Sequence, residues 1–96
     1  MRFNFEWDPQ KAVSNRQKHG ISFELAASVF KDPKALSLFD EDHSGKEDRW
    51  ITVGVAATGA ILVVNHTFAG AGQDTVVVRL ISSRKATKAE QKQYAE

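Results

Sequence analysis

The 96-residue sequence contains no cysteine, and its formal net charge at neutral pH is only +1. Without cysteine there is no disulfide framework and no thiolate metal site, so packing alone must stabilise the core. This composition is compatible with a reducing cytoplasm. The small net charge gives only a weak global argument for nucleic-acid binding, so any such argument must come from how the charges are distributed.

Long apolar runs are also missing. The run Ile61-Leu62-Val63-Val64 is among the longest, and it falls far short of the roughly 18 residues that cross a bilayer. The N-terminal residues lack the apolar core of a signal peptide. We therefore expect a cytoplasmic protein without a membrane anchor.

The composition is ordinary for a folded domain, because 42% of the residues are hydrophobic and 26% are charged. Residues 1–96 are predicted to form one domain with a single core. The charges are spread unevenly, with an acidic segment over residues 40–48 and a basic segment over residues 79–92. The basic segment contains Arg79, Arg84, Lys85, Lys88 and Lys92.

The N-terminal pattern predicts a strand followed by a helix. Residues 3–7 alternate apolar and polar side chains, which is typical of a half-buried strand. Asp8-Pro9 can begin a helix, and Gly20 can end it. Ala12 and Val13 are its expected apolar contacts.

The remaining pattern predicts an α/β domain with the order β-α-α-β-β-β-β-α. Ser22 can cap a second helix, which Asp32-Pro33 stops. Strands are expected near residues 36–39, 49–57, 61–68 and 75–82, with a flexible hairpin loop over residues 69–74. Thr87 and Glu90 fit a capping box that opens a short last helix. The apolar stripe of the second helix comprises Phe23, Ala26, Ala27 and Phe30.

Lys18 and His19 lie in the predicted last turn of the first helix. Cationic side chains are favourable there because they face the negative end of the helix dipole. This explanation needs no function, and we weigh it equally with a functional one on the sequence alone.

Asp40, Asp42 and His43 are of the residue types that bind divalent cations. No pair of histidines has helical ligand spacing, and acidic loops are usually solvated, so we expect no metal and no cofactor. We interpret the segment as a hydrogen-bonded loop in which His43 and Glu47 could exchange protons.

Arg79 lies on a predicted strand among apolar neighbours. Such an arginine either packs its stem flat on a solvent face or contacts phosphate from a concave sheet surface. Arg84-Lys85 follows the last predicted strand, and the turn into the Thr87 helix is expected to offer free N–H groups to a phosphate.

Four strings of residues run along the chain with characteristic spacing: FEWDPQKAVSNRQKHGISFELAASVF at 3–30, DEDHSGKEDR at 40–49, VVNHT at 63–67 and RLISSRKATKAEQKQY at 79–94. Together they resemble the BrnT toxin family. The resemblance implies the ribonuclease of a bacterial type II toxin–antitoxin system. It also implies a RelE-like fold, in which two N-terminal helices and a short C-terminal helix accompany a twisted, mainly antiparallel sheet.

The resemblance implies partners as well. The expected ones are an RNA substrate and a BrnA-like, DNA-binding antitoxin that forms a hetero-oligomer with this chain. Promoter DNA would be contacted only through the antitoxin.

RNA cleavage needs no protein nucleophile, because the 2′-hydroxyl attacks its own phosphate and the enzyme positions the chain, exchanges protons and neutralises charge. With the resemblance, we assign phosphate binding to Lys18, Arg79 and Arg84. Proton transfer is assigned to His19, Glu47 or His66. The further RNA-binding residues are Arg49, Lys85 and Lys88.

One position departs from the family pattern. The family usually reads H-T-x-R, whereas this chain has Ala69 after His66-Thr67-Phe68. Loss of that arginine predicts a weakened endoribonuclease. The alternative is a catalytically weak or inert binding module that mainly sequesters its antitoxin in an autorepressing complex.

Overall fold

Five strands and three α-helices make up residues 2–95, the part of the chain that the computed structural model describes. They are β1 (Arg2–Trp7), α1 (Pro9–His19), α2 (Phe23–Ser28), β2 (Leu36–Phe39), β3 (Trp50–Val55), β4 (Ile61–Gly70), β5 (Thr75–Lys85) and α3 (Lys88–Ala95). Short 3₁₀ turns cover Val29–Lys31 and Glu41–His43. This element order confirms the predicted α/β arrangement.

The strands form one sheet in the order β1-β5-β4-β3-β2. β2 to β5 are joined as an antiparallel meander, as predicted, and β1 adds to the far edge parallel to β5. The pairing of β1 ends where Trp7 meets Leu80, so β5 continues past it. The β4–β5 register shifts at Asn65/His66.

The caps of α1 follow the prediction. The Asp8 side chain accepts a hydrogen bond from the Gln10 backbone N–H, and Gly20 ends the helix in the left-handed conformation. The predicted apolar contact at Val13 is wrong, since its side chain is 59% exposed. The polar Asn15 is buried instead, and its side-chain amide forms hydrogen bonds with the backbone of Ile21 and Ser83.

The core lies between the helices and one face of the sheet. From α2 it takes Phe23 and Ala26, two members of the predicted stripe, and from the following turn it takes Val29. Gly54 on β3 allows this close packing, because a Cβ there would lie 2.9 Å from a Val29 methyl carbon. The remaining buried apolar cluster comprises Ile21, Ala56, Leu62, Val64, Val78 and Leu80.

The C-terminal helix begins with the predicted capping box. The Glu90 carboxylate accepts from the Thr87 N–H at 2.8 Å, and Thr87 Oγ1 accepts from the Glu90 N–H at 3.2 Å. Further along, the Tyr94 hydroxyl donates to Asp32 Oδ2 and ties the helix to the start of the meander. Within residues 2–95, no helix is long and apolar enough to cross a membrane.

The hairpin between β4 and β5 is shorter than expected. The predicted loop began at Ala69, but β4 continues to Gly70 and β5 begins at Thr75. Ala69 pairs with Val77. This residue therefore occupies a defined strand position rather than a loop.

Candidate functional site

A groove begins at the last turn of α1. Its first cavity has a volume of about 330 Å³, and Lys18, His19, Ile81 and Ser82 are among its lining residues. A second cavity of about 200 Å³ shares Ile81 and Ser82 and adds Arg49. The C-terminus of α1 and the loop between β2 and β3 therefore meet over the same part of β5.

The groove continues along the loop between β2 and β3. A third cavity of about 530 Å³ shares His43 and Arg49 with the second. A fourth, of about 340 Å³, shares Glu47 with the third and adds Arg79 and Ala69. We call these four adjoining cavities the groove. It brings together Lys18, His19, Glu47, Arg49 and Arg79 from the predicted set of site residues.

The position of α1 beside β5 is fixed by Asn15. Its Nδ2 atom donates to the Ile21 carbonyl at 3.0 Å and to the Ser83 carbonyl at 2.9 Å, while its Oδ1 accepts from the Ser83 N–H at 2.9 Å. Lys18 lies one helical turn further along and is exposed. The buried amide thus places the cation at the groove.

An ion-pair network occupies the other end of the groove. Arg79 Nη2 donates to Glu47 Oε1, and Arg49 Nη2 lies 3.8 Å from the same oxygen. The Nε of Arg49 is buried and has no hydrogen-bond acceptor among residues 2–95. One carboxylate therefore holds two of the predicted RNA-contacting arginines together.

The acidic segment is an ordered loop. Ser44 Oγ donates to the Asp40 carbonyl at 2.5 Å and accepts from the Arg49 N–H at 2.9 Å. Asp40 Oδ2 lies 2.9 Å from His43 Nδ1. This confirms the interpretation of a hydrogen-bonded loop. Among residues 2–95, no three His, Asp or Glu side chains converge as a metal-binding group.

His66 does not lie in the groove, which contradicts its predicted role in proton transfer to or from RNA. Its side chain is fully buried on the core face, 4.9 Å from the Phe30 ring centre. Its Nε2 forms a 2.6 Å hydrogen bond with Thr52 Oγ1. Burial lowers the pKa of His66 from 6.5 to about 4, so the ring is neutral at physiological pH.

Arg84 is bound to the C-terminal helix. Its guanidinium donates two hydrogen bonds to the Glu90 carboxylate, at 2.7 and 2.8 Å. These bonds are the main reason that the pKa of Glu90 falls to about 2. The Thr87–Glu90 capping box uses two of the N–H groups that were predicted to be free at this turn, those of Thr87 and Glu90. Arg84, Lys85 and Lys88 are not among the residues that line the groove.

Sequence reasoning missed the polar residues between the two ends of the groove. Asn65 Nδ2 donates to Ser82 Oγ at 2.9 Å, and both residues line the second cavity. The available signal was the polar residue that ends an apolar run in each strand, Asn65 in β4 and Ser82 in β5. That signal could not identify a partner, because the two residues are 17 positions apart in the sequence.

Comparison with known proteins gives a family match and a fold match. A family model described as the ribonuclease toxin BrnT of type II toxin–antitoxin systems matches residues 7–90. The fold is similar to the crystal structure of the Brucella abortus ribonuclease toxin BrnT, with a TM-score of 0.53 and 24% identity, over 92% of this chain and 100% of that one. That likeness concerns the fold alone. No curated protein matches the chain significantly.

The family model covers both ends of the groove, from the helix that carries Lys18 to the strand that carries Arg79. Because the match spans most of the sequence, the chain belongs to the BrnT family, the ribonuclease toxins of type II toxin–antitoxin systems.

Proposed function

We propose that this chain is an endoribonuclease that cleaves cellular RNA in the groove by attack of the 2′-hydroxyl on the adjacent phosphate, without a metal ion. The observation that carries the proposal is that residues from α1, from the loop between β2 and β3, and from β5 meet along one groove. These residues are Lys18, His19, Glu47, Arg49 and Arg79. They supply the cations and titratable groups that this chemistry needs.

In the proposed mechanism, Arg79 and Arg49 bind the phosphate at one end of the groove. A phosphate that enters there competes with Glu47 for Arg79, since both are anions that pair with a guanidinium. Lys18 neutralises charge at the other end. Of the three residues assigned to proton transfer, the groove brings His19 and Glu47 to the RNA as titratable groups.

The structure changes the set of residues that we propose. His66 is removed because it is buried, and Arg84 is removed because it lies outside the groove with its guanidinium bound to Glu90. Lys85 and Lys88 stay as predicted RNA-binding residues outside the groove, where they would contact a longer RNA.

The family assignment implies an antitoxin partner. We propose that this partner is a BrnA-like, DNA-binding protein, that it covers the groove in a cytoplasmic complex, and that promoter DNA is contacted only through it. Co-expression with the neighbouring reading frame should give a complex that co-purifies. A chain that is always recovered alone and does not inhibit growth would contradict this part of the proposal.

A second candidate is a weak or inert toxin that mainly sequesters its antitoxin. Two observations favour it. Both Arg79 and Arg84 are already paired with carboxylates, and Ala69 places a methyl group where the family usually has an arginine.

The test is incubation of the purified chain with total RNA in the presence of excess chelator. Cleavage that leaves 2′,3′-cyclic phosphate and 5′-hydroxyl ends supports metal-independent attack by the 2′-hydroxyl. Lys18→Ala should weaken cleavage. Arg16→Ala is the matched control, because it removes the same charge from the same helix but does not line the groove. No cleavage with or without divalent cation would favour the binding module.

A further inference from the structure

Asp40 and His43 form a hydrogen-bonded pair at the middle of the groove. Nδ1 of His43 lies 2.9 Å from Asp40 Oδ2. The Asp40 side chain is only 12% exposed, whereas that of His43 is 67% exposed. One partner is thus held by the protein, and the other is presented to solvent.

The pair is held by hydrogen bonds within its own loop. The Asp40 backbone N–H donates to the Arg49 carbonyl at 2.9 Å, and Ser44 Oγ bridges the Asp40 carbonyl and the Arg49 N–H. These bonds close the loop at its base. Because Asp40 is immobilised, its carboxylate fixes the orientation of the imidazole ring.

The location of the pair connects it to the cations of the groove. His43 lines both the 200 Å³ cavity that contains Asn65 and Ser82 and the 530 Å³ cavity that contains Glu47. Arg49 lines the same two cavities. A phosphate bound to Arg49 would therefore lie beside the imidazole.

We infer that His43 is the general base of RNA cleavage and that Asp40 is the residue that positions it. This inference rests on the proposed ribonuclease function. In the neutral ring, the Nδ1–H group donates a hydrogen bond to Asp40, so Nε2 carries the lone pair that can accept a proton. Glu47 is then left to hold Arg79 and Arg49, which agrees with its contacts.

The 2′-hydroxyl proton passes to Nε2 of His43 while the 2′ oxygen forms a bond to phosphorus. The bond from phosphorus to the 5′ oxygen breaks, and the 5′ oxygen takes a proton from His19, which lines the adjoining cavity. The products are a 2′,3′-cyclic phosphate and a 5′-hydroxyl.

The experiment compares the full chain with His43→Ala on two substrates. One is RNA, and the other is uridine 3′-(4-nitrophenyl phosphate), whose leaving group needs no proton. Loss of a general base should lower the cleavage rate of both substrates by about 10²–10³-fold. Added imidazole should restore part of the activity of His43→Ala. A loss confined to RNA would mean that His43 is the acid and would overturn the assignment.

Asp40→Asn tests the positioning role. It should lower cleavage in the wild-type background and cause no further loss in the His43→Ala background, since its only proposed action is through the imidazole. Asp42→Asn is the matched control, because it removes the same charge from the same turn without a side-chain bond to His43 among residues 2–95. A full additional loss in the double variant would overturn the positioning role.

Failure of this inference can be told apart from failure of the proposed function. If the wild-type chain cleaves RNA and His43→Ala cleaves equally well, the Asp40–His43 assignment is wrong and the ribonuclease function stands. If the wild-type chain cleaves neither substrate, both are wrong. Equal unfolding midpoints for the variants and the wild type would establish that altered rates do not reflect unfolding.

Discussion

The side-chain amide of Asn15 on α1 pairs with both backbone groups of Ser83 on β5, each at 2.9 Å. The amide forms the hydrogen bonds that the backbone of a neighbouring strand would otherwise form with β5, because β1 pairs with β5 only as far as Leu80. The amide therefore satisfies a sheet edge and, by the same bonds, holds the helix that carries Lys18 and His19 against the groove.

The first prediction follows from this pairing. Asn15→Leu should lower the free energy of unfolding by about 2–4 kcal/mol, because it leaves buried backbone groups of Ser83 and Ile21 without partners. Urea unfolding measures the change. Gln17→Leu on the exposed side of the same helix is the control and should change stability little. Equal effects of the two substitutions would mean that the amide bonds add little.

The second prediction separates two arginines that the sequence treated alike. Arg79→Ala should lower RNA cleavage about 10²-fold, the scale of losing one transition-state donor, and Arg79→Lys should restore it only in part. Arg84→Ala should instead lower stability, because it releases Glu90 and the C-terminal helix. Cleavage rates and thermal unfolding midpoints of both variants test whether each arginine acts in cleavage or in stability. A cleavage defect in Arg84→Ala without loss of stability would return Arg84 to the site.

The third prediction concerns acid stability. Burial lowers the pKa of His66 from 6.5 to about 4, so the unfolded chain binds this proton more tightly than the folded chain. The contribution of this residue to the free energy of unfolding is fully present above about pH 6.5 and falls as the pH drops towards 4. Below about pH 4 the free energy of unfolding is about 3 kcal/mol lower than at neutral pH on this account.

A non-titrating variant tests this assignment. His66→Gln should be less stable than the wild type at pH 7, with the difference shrinking towards pH 4. Val64→Ala, which truncates a buried side chain that does not titrate, should lower stability by a similar amount at every pH. Urea midpoints measured from pH 4 to pH 7 provide the comparison, and parallel curves for wild type and His66→Gln would contradict it.

The fourth prediction concerns Ala69, where the resemblance predicts an arginine in the family. Ala69 lines the same cavity as Arg79 and Glu47, so an arginine there could reach a phosphate held by Arg79. Ala69→Arg should raise RNA cleavage or growth inhibition severalfold. Gly70→Arg, one strand position away, is the control, because adjacent residues of a strand point to opposite faces. An Ala69→Arg variant no more active than the parent would mean that this departure does not matter.

The local elements could be predicted from the sequence because their signals are local. Asp8 and Gly20 bound α1, and Thr87 with Glu90 opens α3, in each case through bonds that span at most four residues. The alternating residues of β1 likewise gave its strand character. The family resemblance rested on strings of this kind, and the family match bears it out.

The membership of the site was decided by the tertiary structure. His66 and Arg79 are both strand residues with apolar neighbours, yet one faces the core and the other lines the groove. Arg84 is of a residue type that binds phosphate, but in the folded chain its guanidinium is bound to Glu90 of α3. Which sheet face is covered, and which carboxylate reaches which arginine, depends on contacts between distant residues. A one-dimensional pattern carries charge and periodicity but does not carry those distances.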